Sequence, residues 1–400
     1  GLAGGGNIRV MSDIERAVSD MDDDVMEPLP PGALREAMEA VVRGVGLDPG
    51  RGDGQRVLDI IHTAVKLVGD EANTGELKLI SRSLKELRYA LKVFRDYRHV
   101  PKVSIFGSAR TPEGHPDYEK AVKFGRIMAQ RGWMVITGAG DGIMKAGHEG
   151  GERTNSFGVS ILLPFETNAN DVIEGDHKLI TFRYFFTRKL IFMWESAAVA
   201  LFPGGFGTQD EGFEALTLVQ TGKAAMLPIV MMDGTPGDSG YWATWDQWVR
   251  DQLLERGWIS PEDVDLYKLY DDPEAAADHV CRFYRNFHSA RFVRDVQVLR
   301  LRRALTDAQV AELNERFGVL VEGDGKIAQG GPLKGEFDES PELPRLSWPS
   351  TKRAYGELRR LIDAVNDYDA ENHPEVDERC GGMQLGGPSE DSIDIQKSRR

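Results

Sequence analysis

Apolar positions divide this chain into three regimes. In residues 33–98 they recur at helical spacing: Leu34, Met38, Val41 and Val42 mark one face, then Val57, Leu58, Ile61, Val65 and Val68 another. Glycines and Pro49 in residues 44–54 separate these two helices, and a third, 77–97, carries Leu84, Leu87, Leu91 and Phe94 at the same period. Nothing in this helical region suggests chemistry. From Pro101 short apolar runs alternate with helical periods, which predicts a mostly parallel sheet covered on both faces. Strands are expected at 103–106, 133–137, 157–163, 179–182, 197–202 and 228–232, with helices at 117–131, 184–195, 208–222, 241–256 and 273–287 and a polar loop at 168–176. Trp242, Trp245 and Trp248 lie at helical spacing and read as packing. Beyond Ser289 the strands 296–301, 325–328 and 346–348 and the helices 306–317 and 355–365 suggest a small α+β domain.

The fold class expected is therefore α/β: a Rossmann-like doubly wound parallel sheet, with an N-terminal helical region and a small C-terminal α+β domain. The expected boundaries are a leader at 1–30, a helical region at 31–100, a Rossmann-like α/β domain at 101–288, the α+β domain at 289–367 and a tail at 368–400. Leader and tail are too polar, acidic or glycine-rich to bury enough apolar surface to order themselves.

The stretch 196–222 is the one the rest appears arranged to serve. Its apolar strand breaks abruptly at Pro203, Gly204, Gly205, Phe206 and Gly207, and a helix follows that Thr208 can cap, with Asp210 and Glu211 in its first turn and Gly222 closing it. A strand, glycine turn and helix in a parallel sheet expose amides that favour phosphate. Two carboxylates just beyond such a site would repel a phosphate unless they address another part of the ligand, so Glu211 is expected to reach the sugar. Gly107 and Ser108 after the first strand, and Gly138, Ala139, Gly140, Asp141 and Gly142 after the second, form further turns of the same kind.

Composition narrows the possible ligands. The formal charge is -15 over 400 residues, which argues against a surface built for a nucleic-acid polymer but leaves a single nucleotide compatible. The two cysteines, Cys281 and Cys380, have no neighbour at metal-ligand spacing, so neither a disulfide framework nor a zinc site is expected, and a cytoplasmic setting follows. No apolar run reaches the roughly 18 residues that span a bilayer, and the first ten residues lack a secretory pattern.

The motif PGGFGTQDE at 203–211, with the TRK triplet of Thr187, Arg188 and Lys189, resembles the LOG family of nucleotide phosphoribohydrolases, whose signature is PGGxGTxxE preceded by an RK pair. ITGAGDGIM at 136–144 and the Gly107–Ser108 pair fall in the same order, and the resemblance covers residues 101 to about 287. The outer regions resemble the longer bacterial members, some of them nucleosidases acting on monophosphates. The resemblance implies hydrolysis of the N-glycosidic bond of a nucleoside 5'-monophosphate, AMP-like, to free base and ribose 5-phosphate, with no cofactor and no metal, in a homo-oligomer. Glu211 and Arg188 match the family's catalytic pair. Gly107, Ser108, Gly138, Gly140, Lys189, Gly204, Gly205, Gly207, Thr208 and Asp210 match substrate-binding positions, although Asp210 stands where many members have the longer Glu. Specificity for cytokinin riboside monophosphates is an alternative within the family.

Plainer readings compete at each position. An acid such as Glu211 also suits a helix amino end, Arg188 and Lys189 also suit a solvated face, and Ser108 and Thr208 also serve as helix caps. His148 and His177 border the site segments and receive no role. A dehydrogenase is one rival, since Gly138, Gly140 and Glu166 loosely imitate a dinucleotide fingerprint, but the third glycine is missing at its usual offset. A non-catalytic nucleotide-binding or sensing protein is the other; only Arg188 and Glu211 speak against it. No pyridoxal-phosphate lysine motif is recognisable.

Overall fold

The computed structural model describes residues 32–163, 169–234, 240–334, 336 and 340–374. The expected leader, most of the expected tail, Glu166 and Cys380 lie outside the described residues. The chain divides into two compact units, 1–84 and 85–400.

In the first unit, α1 (Ala33–Gly44) and α2 (Gly52–Gly69) share a small core of Met38, Val42 and Leu58, packed by Leu47, Val57, Ile61 and Val65. Of the other positions expected on their apolar faces, Leu34, Val41 and Val68 are exposed. Helix α3 (Thr74–Phe94) begins in this unit and leaves Leu77, Ile80 and Leu84 exposed.

The second unit is built on a seven-stranded sheet in the order β4-β3-β2-β1-β5-β6-β7. Its strands are β1 (Lys102–Phe106), β2 (Met134–Thr137), β3 (Ser156–Ile161), β4 (Leu179–Phe182), β5 (Ala198–Leu201), β6 (Ile229–Met232) and β7 (Tyr267–Tyr270). Every pairing is parallel. Helices α4 (Pro116–Gln130), α5 (Ile143–Gly151), α6 (Phe185–Glu195), α7 (Phe206–Gln220), α8 (Tyr241–Val249) and α9 (Pro273–Phe283) connect or follow the strands. β1, β2, β5 and β6 are buried throughout, which is why they read as unbroken apolar runs, whereas the edge strands β4 and β7 are partly exposed. β7, with Lys268 in its middle, was not expected from the sequence. The doubly wound parallel architecture is as expected.

A second, four-stranded antiparallel sheet runs β10-β11-β9-β8. It comprises β8 (Phe287–Val293), β9 (Val296–Leu301), β10 (Ala328–Gly330) and β11 (Arg345–Pro349), accompanied by α10 (Asp307–Arg316) and α11 (Tyr355–Asn372). The α+β character is as expected, but the helix foreseen to residue 287 stops at Phe283 and β8 follows. Phe283, Tyr284 and Phe287 mimic helical spacing, yet the Asn366 side-chain oxygen accepts from the amides of Asn286 at 2.8 Å and Phe287 at 3.0 Å. Those donors are thereby satisfied outside a helix. β8 runs through the boundary expected at 288, and one hydrophobic core contains residues of both sheets, Val199 and Leu299 among them. Helix α11 continues to Asn372, past residue 368 where the tail was expected to begin. Cys281 is disulfide-bonded, which corrects the expectation that the cysteines stay free of disulfides. No helix among the described residues is long and apolar enough to cross a membrane.

Helices α4 and α5 press together where side chains are missing. A Cβ on Gly150 would lie 2.2 Å from Val122 O, and one on Gly125 would lie 2.8 Å from Gly147 O. Both obstacles are backbone, so no rotamer change relieves them. Gly150→Ala should therefore destabilise the protein by about 1–3 kcal/mol, as overpacking does, read as a lowered urea midpoint; an unchanged midpoint would contradict this packing.

Candidate active site

From β1 the chain winds outward through β2, β3 and β4, then returns to β5 on the other side of β1. At such a reversal the turns leaving the two adjacent strands diverge and open a crevice. Here the turn after β1 holds Gly107 and Ser108, and the turn after β5 holds Pro203, Gly204 and Gly205. The two are tied together: Ser108 N donates to Pro203 O at 3.0 Å, and Phe202 N to Phe106 O at 2.8 Å. A cavity of about 1040 Å³ opens above them.

Gly204 sits where no side chain fits, because a Cβ there would lie 2.1 Å from Thr208 Oγ1 and 2.9 Å from Ser108 N. Gly205 and Gly207 differ: a Cβ on either would meet nothing within 4 Å, so the space beside them is open to a ligand. Helix α7 starts earlier than expected. Gly205 occupies the N-cap with no side-chain cap, and the helix begins at Phe206, so Thr208 lies inside it and is not the cap. Asp210 and Glu211 consequently fall beyond the first turn, which removes the simple explanation of Glu211 as a helix-end acid. The first main-chain bond is Gln209 N to Gly205 O at 3.1 Å; the amides of Phe206, Gly207 and Thr208 precede it and have no acceptor within the helix.

Arg188 comes from the first turn of α6. Its Nη2 lies 3.1 Å from Glu211 Oε1, and both side chains are almost buried. Phe185 and Phe192 flank the guanidinium, their ring centroids 5.2 and 5.5 Å away. Arg188 Nε is buried and has no hydrogen-bond partner among the described residues. Burial raises the Glu211 pKa, and the nearby Arg188 and Lys189 charges only partly oppose that rise. The result is a desolvated carboxylate held beside a permanent cation with one donor unspent.

The cavity brings together Gly107, Ser108, Gly138, Gly140, Arg188, Gly204, Gly205, Gly207, Thr208 and Glu211. It does not include Lys189 or Asp210 in its wall. Lys189 Nζ instead reaches Glu214 at 2.7 Å, Asp210 at 2.9 Å and Glu211 at 3.9 Å. Burial works against the Lys189 charge, but these carboxylates more than offset it and raise its pKa. The Asp210 side chain is 60% exposed and pairs with Lys189 outside the cavity wall.

The second glycine turn is braced from behind. Ala139 adopts φ 63° and Gly142 φ 60°, conformations that a buried scaffold must hold in place. Asn170 supplies that hold: its N donates to Ala139 O at 2.8 Å and its Nδ2 to Gly140 O at 2.9 Å. His148 stands behind Asn170, with Nδ1 3.1 Å from Asn170 Nδ2 and Nε2 3.0 Å from Phe157 O. Burial lowers the His148 pKa and favours the neutral ring, which accepts at Nδ1 and donates from Nε2. Its role is structural. The same cavity wall includes residues that the sequence reading missed, among them Met144, Ser160, Thr181, Phe185, Phe206, Gln209 and Tyr241. Phe206 and Gln209 stood inside the motif, but Tyr241 arrives from a separate helix with no local signal. The tryptophans of the α8 segment pack as expected, Trp242 against Trp245 at 5.8 Å and Trp245 against Tyr267 at 5.3 Å. Among the described residues no group of three or more His, Cys, Asp or Glu could hold a metal ion.

Comparison with known proteins adds a family. Residues 139–280 match the family model described as "Possible lysine decarboxylase". Among the described residues no lysine lines the cavity. Among solved structures, a molybdenum cofactor binding protein from Rippkaea orientalis is 19% identical, with 45% of this chain and 95% of that one covered and a TM-score of 0.32. The molybdenum cofactor carrier protein of Chlamydomonas reinhardtii is 20% identical, covering 45% and 96%, with a TM-score of 0.31. DNA processing protein A of Helicobacter pylori is 13% identical, covering 46% and 80%, with a TM-score of 0.32. No curated protein sequence matches. The matched α/β segment, with the PGGFGTQDE and RK motifs beside its cavity, supports assignment of this part of the chain to the LOG family of nucleotide phosphoribohydrolases.

Proposed function

We propose that this protein is an N-glycosidase that uses water to cleave AMP-like nucleoside 5'-monophosphates into free base and ribose 5-phosphate. The hydrolase class follows from the family; the observation that carries the residue assignment is the Arg188–Glu211 pair, almost buried in one wall of a cavity whose floor is a turn of open amides. In this reading the Gly205–Thr208 amides hold the phosphate, with Ser108 and Gly140 closing the pocket beside it. The C–N bond breaks with positive charge developing on the ribose, and the Glu211 carboxylate stabilises that charge and orients the attacking water. One water proton goes to the departing base, its oxygen to the anomeric carbon. The buried Arg188 fork binds the phosphate or the leaving base through its unspent Nε donor. Lys189 serves the site through Glu211 rather than by touching substrate.

We further propose that residues 101–288 form the catalytic part, with the helical region and the α+β sheet as its outer parts. A homo-oligomer and a cytoplasmic location complete the reading. The exposed Leu77, Ile80 and Leu84 on α3 support the first, and an intracellular substrate class the second.

Glu211→Gln should retain AMP binding and lose base release by about 100-fold or more, the scale of a removed charge stabiliser, whereas Arg188→Ala should impair both; chromatography of released adenine and calorimetric titration separate the two. Full turnover by Glu211→Gln would remove the proposed role. Across a panel of monophosphates, nucleosides and triphosphates, base release should be confined to monophosphates, and equal cleavage of nucleosides would contradict the phosphate anchor. The pH profile follows from burial: Glu211 must be ionised, and its raised pKa places the acid limb of kcat/KM above that of an ordinary glutamate. Lys189→Met removes a cation that lowers that pKa, so the limb should move to still higher pH; a limb that stays put or moves down would contradict this electrostatic account.

A further inference from the structure

Besides the main-chain tie from Ser108 N to Pro203 O, a side chain from outside the motif, Tyr241, grips the phosphate turn. Its hydroxyl donates to Gly204 O at 2.6 Å and accepts from Gln209 Nε2 at 2.6 Å, and all three residues line the cavity. The Gly204–Gly205 peptide is trans, as is every described peptide bond, so its N–H points opposite to its C=O. Fixing Gly204 O therefore fixes the direction of the Gly205 N–H, the first amide of the open turn. Glycine itself cannot do this, since both flanking residues lack a side chain that would resist rotation of the peptide plane.

The tyrosine is held independently of the turn it grips. It opens α8, whose Trp242 N donates to Asp233 Oδ2 at 3.1 Å and whose Trp242 Nε1 donates to Met232 O at 3.0 Å, so the helix start is pinned to the end of β6. The Tyr241 ring packs edge-on against Trp242 at 4.9 Å. Removing the hydroxyl should thus free the peptide without moving the ring. Resting on the hydrolase reading above, we propose that Tyr241 is a positioning residue for phosphate: it orients the Gly204–Gly205 peptide so that the turn meets the phosphoryl group prealigned, and it thereby sets affinity for the anionic end of the substrate.

The test compares wild type, Tyr241→Phe and Gln209→Leu by calorimetric titration with ribose 5-phosphate, alongside AMP kinetics and thermal melting. Tyr241→Phe should weaken ribose 5-phosphate binding and raise KM for AMP by about tenfold, the scale of one hydrogen bond to a preorganised site. The kcat should change far less, and Tm should stay close to wild type. Gln209→Leu leaves the tyrosine but removes the donor that orients its hydroxyl, so a smaller shift in the same direction is expected. Ribose 5-phosphate affinity unchanged in both variants would overturn the proposal, as would a loss confined to kcat. If Tyr241→Phe melts early, the Gln209→Leu titration decides alone. Wild type that fails to bind ribose 5-phosphate would instead refute the phosphate reading on which this rests, a separate result from wild type that binds and variants that bind equally well.

Discussion

Everything at this site depends on how closely two turns meet where the sheet reverses direction. The turn after β1 and the turn after β5 are joined main chain to main chain, and Gly204 is squeezed between Ser108 and Thr208 with no room for a methyl group. That contact sets where α7 begins, because a helix entered from a pinned glycine turn presents its first amides at the pin. It also sets where Glu211 stands, since the acid lies on α7 at a fixed distance from the turn. One backbone contact thus relates a turn of open amides to a carboxylate, the two groups that the proposed function assigns to the phosphate and the sugar of one molecule.

The carboxylate's partner is positioned from another direction. Glu86 on α3 accepts from Arg183 N at 3.0 Å and lies 2.7 Å from Thr187 Oγ1, which holds the start of α6 and hence the first turn that carries Arg188. Two aromatic rings then confine the guanidinium. The chain carries a formal charge of -15, yet the cavity gathers Arg188, Arg110 and the amino end of α7. Local burial, rather than net charge, decides which ligand this surface accepts. The desolvated Glu211 costs stability that a surface acid would not, and the proposed hydrolysis gives a reason for retaining it.

Much of this was readable in the chain before any coordinates. Strands buried on both faces announce themselves as apolar runs, and PGGFGT between such a run and a helix marks the glycine turn that lines the cavity. Helix α10 begins at the start of the 306–317 span expected for it, held by a reciprocal pair of Thr306 and Gln309. The failures have physical causes. β7 hides because Lys268 interrupts it at a half-exposed edge, and α9 was drawn too long because its aromatics keep helical spacing while Asn366 captures the amides past its end. Thr208 looked like a cap because sequence cannot tell that glycine itself occupies that place. Tyr241, Thr181 and Ser160 join the site only through the sheet's topology, which no local pattern encodes.

The central claim is that the amides of a glycine turn hold the phosphate of a mononucleotide while Glu211 faces its ribose. A crystal structure with ribose 5-phosphate bound tests it most directly. The account predicts phosphoryl oxygens within about 3 Å of the Gly205 to Thr208 amides and ribose hydroxyls toward Glu211; a phosphoryl group lodged elsewhere in the cavity, or a ribose turned away from that carboxylate, would contradict it.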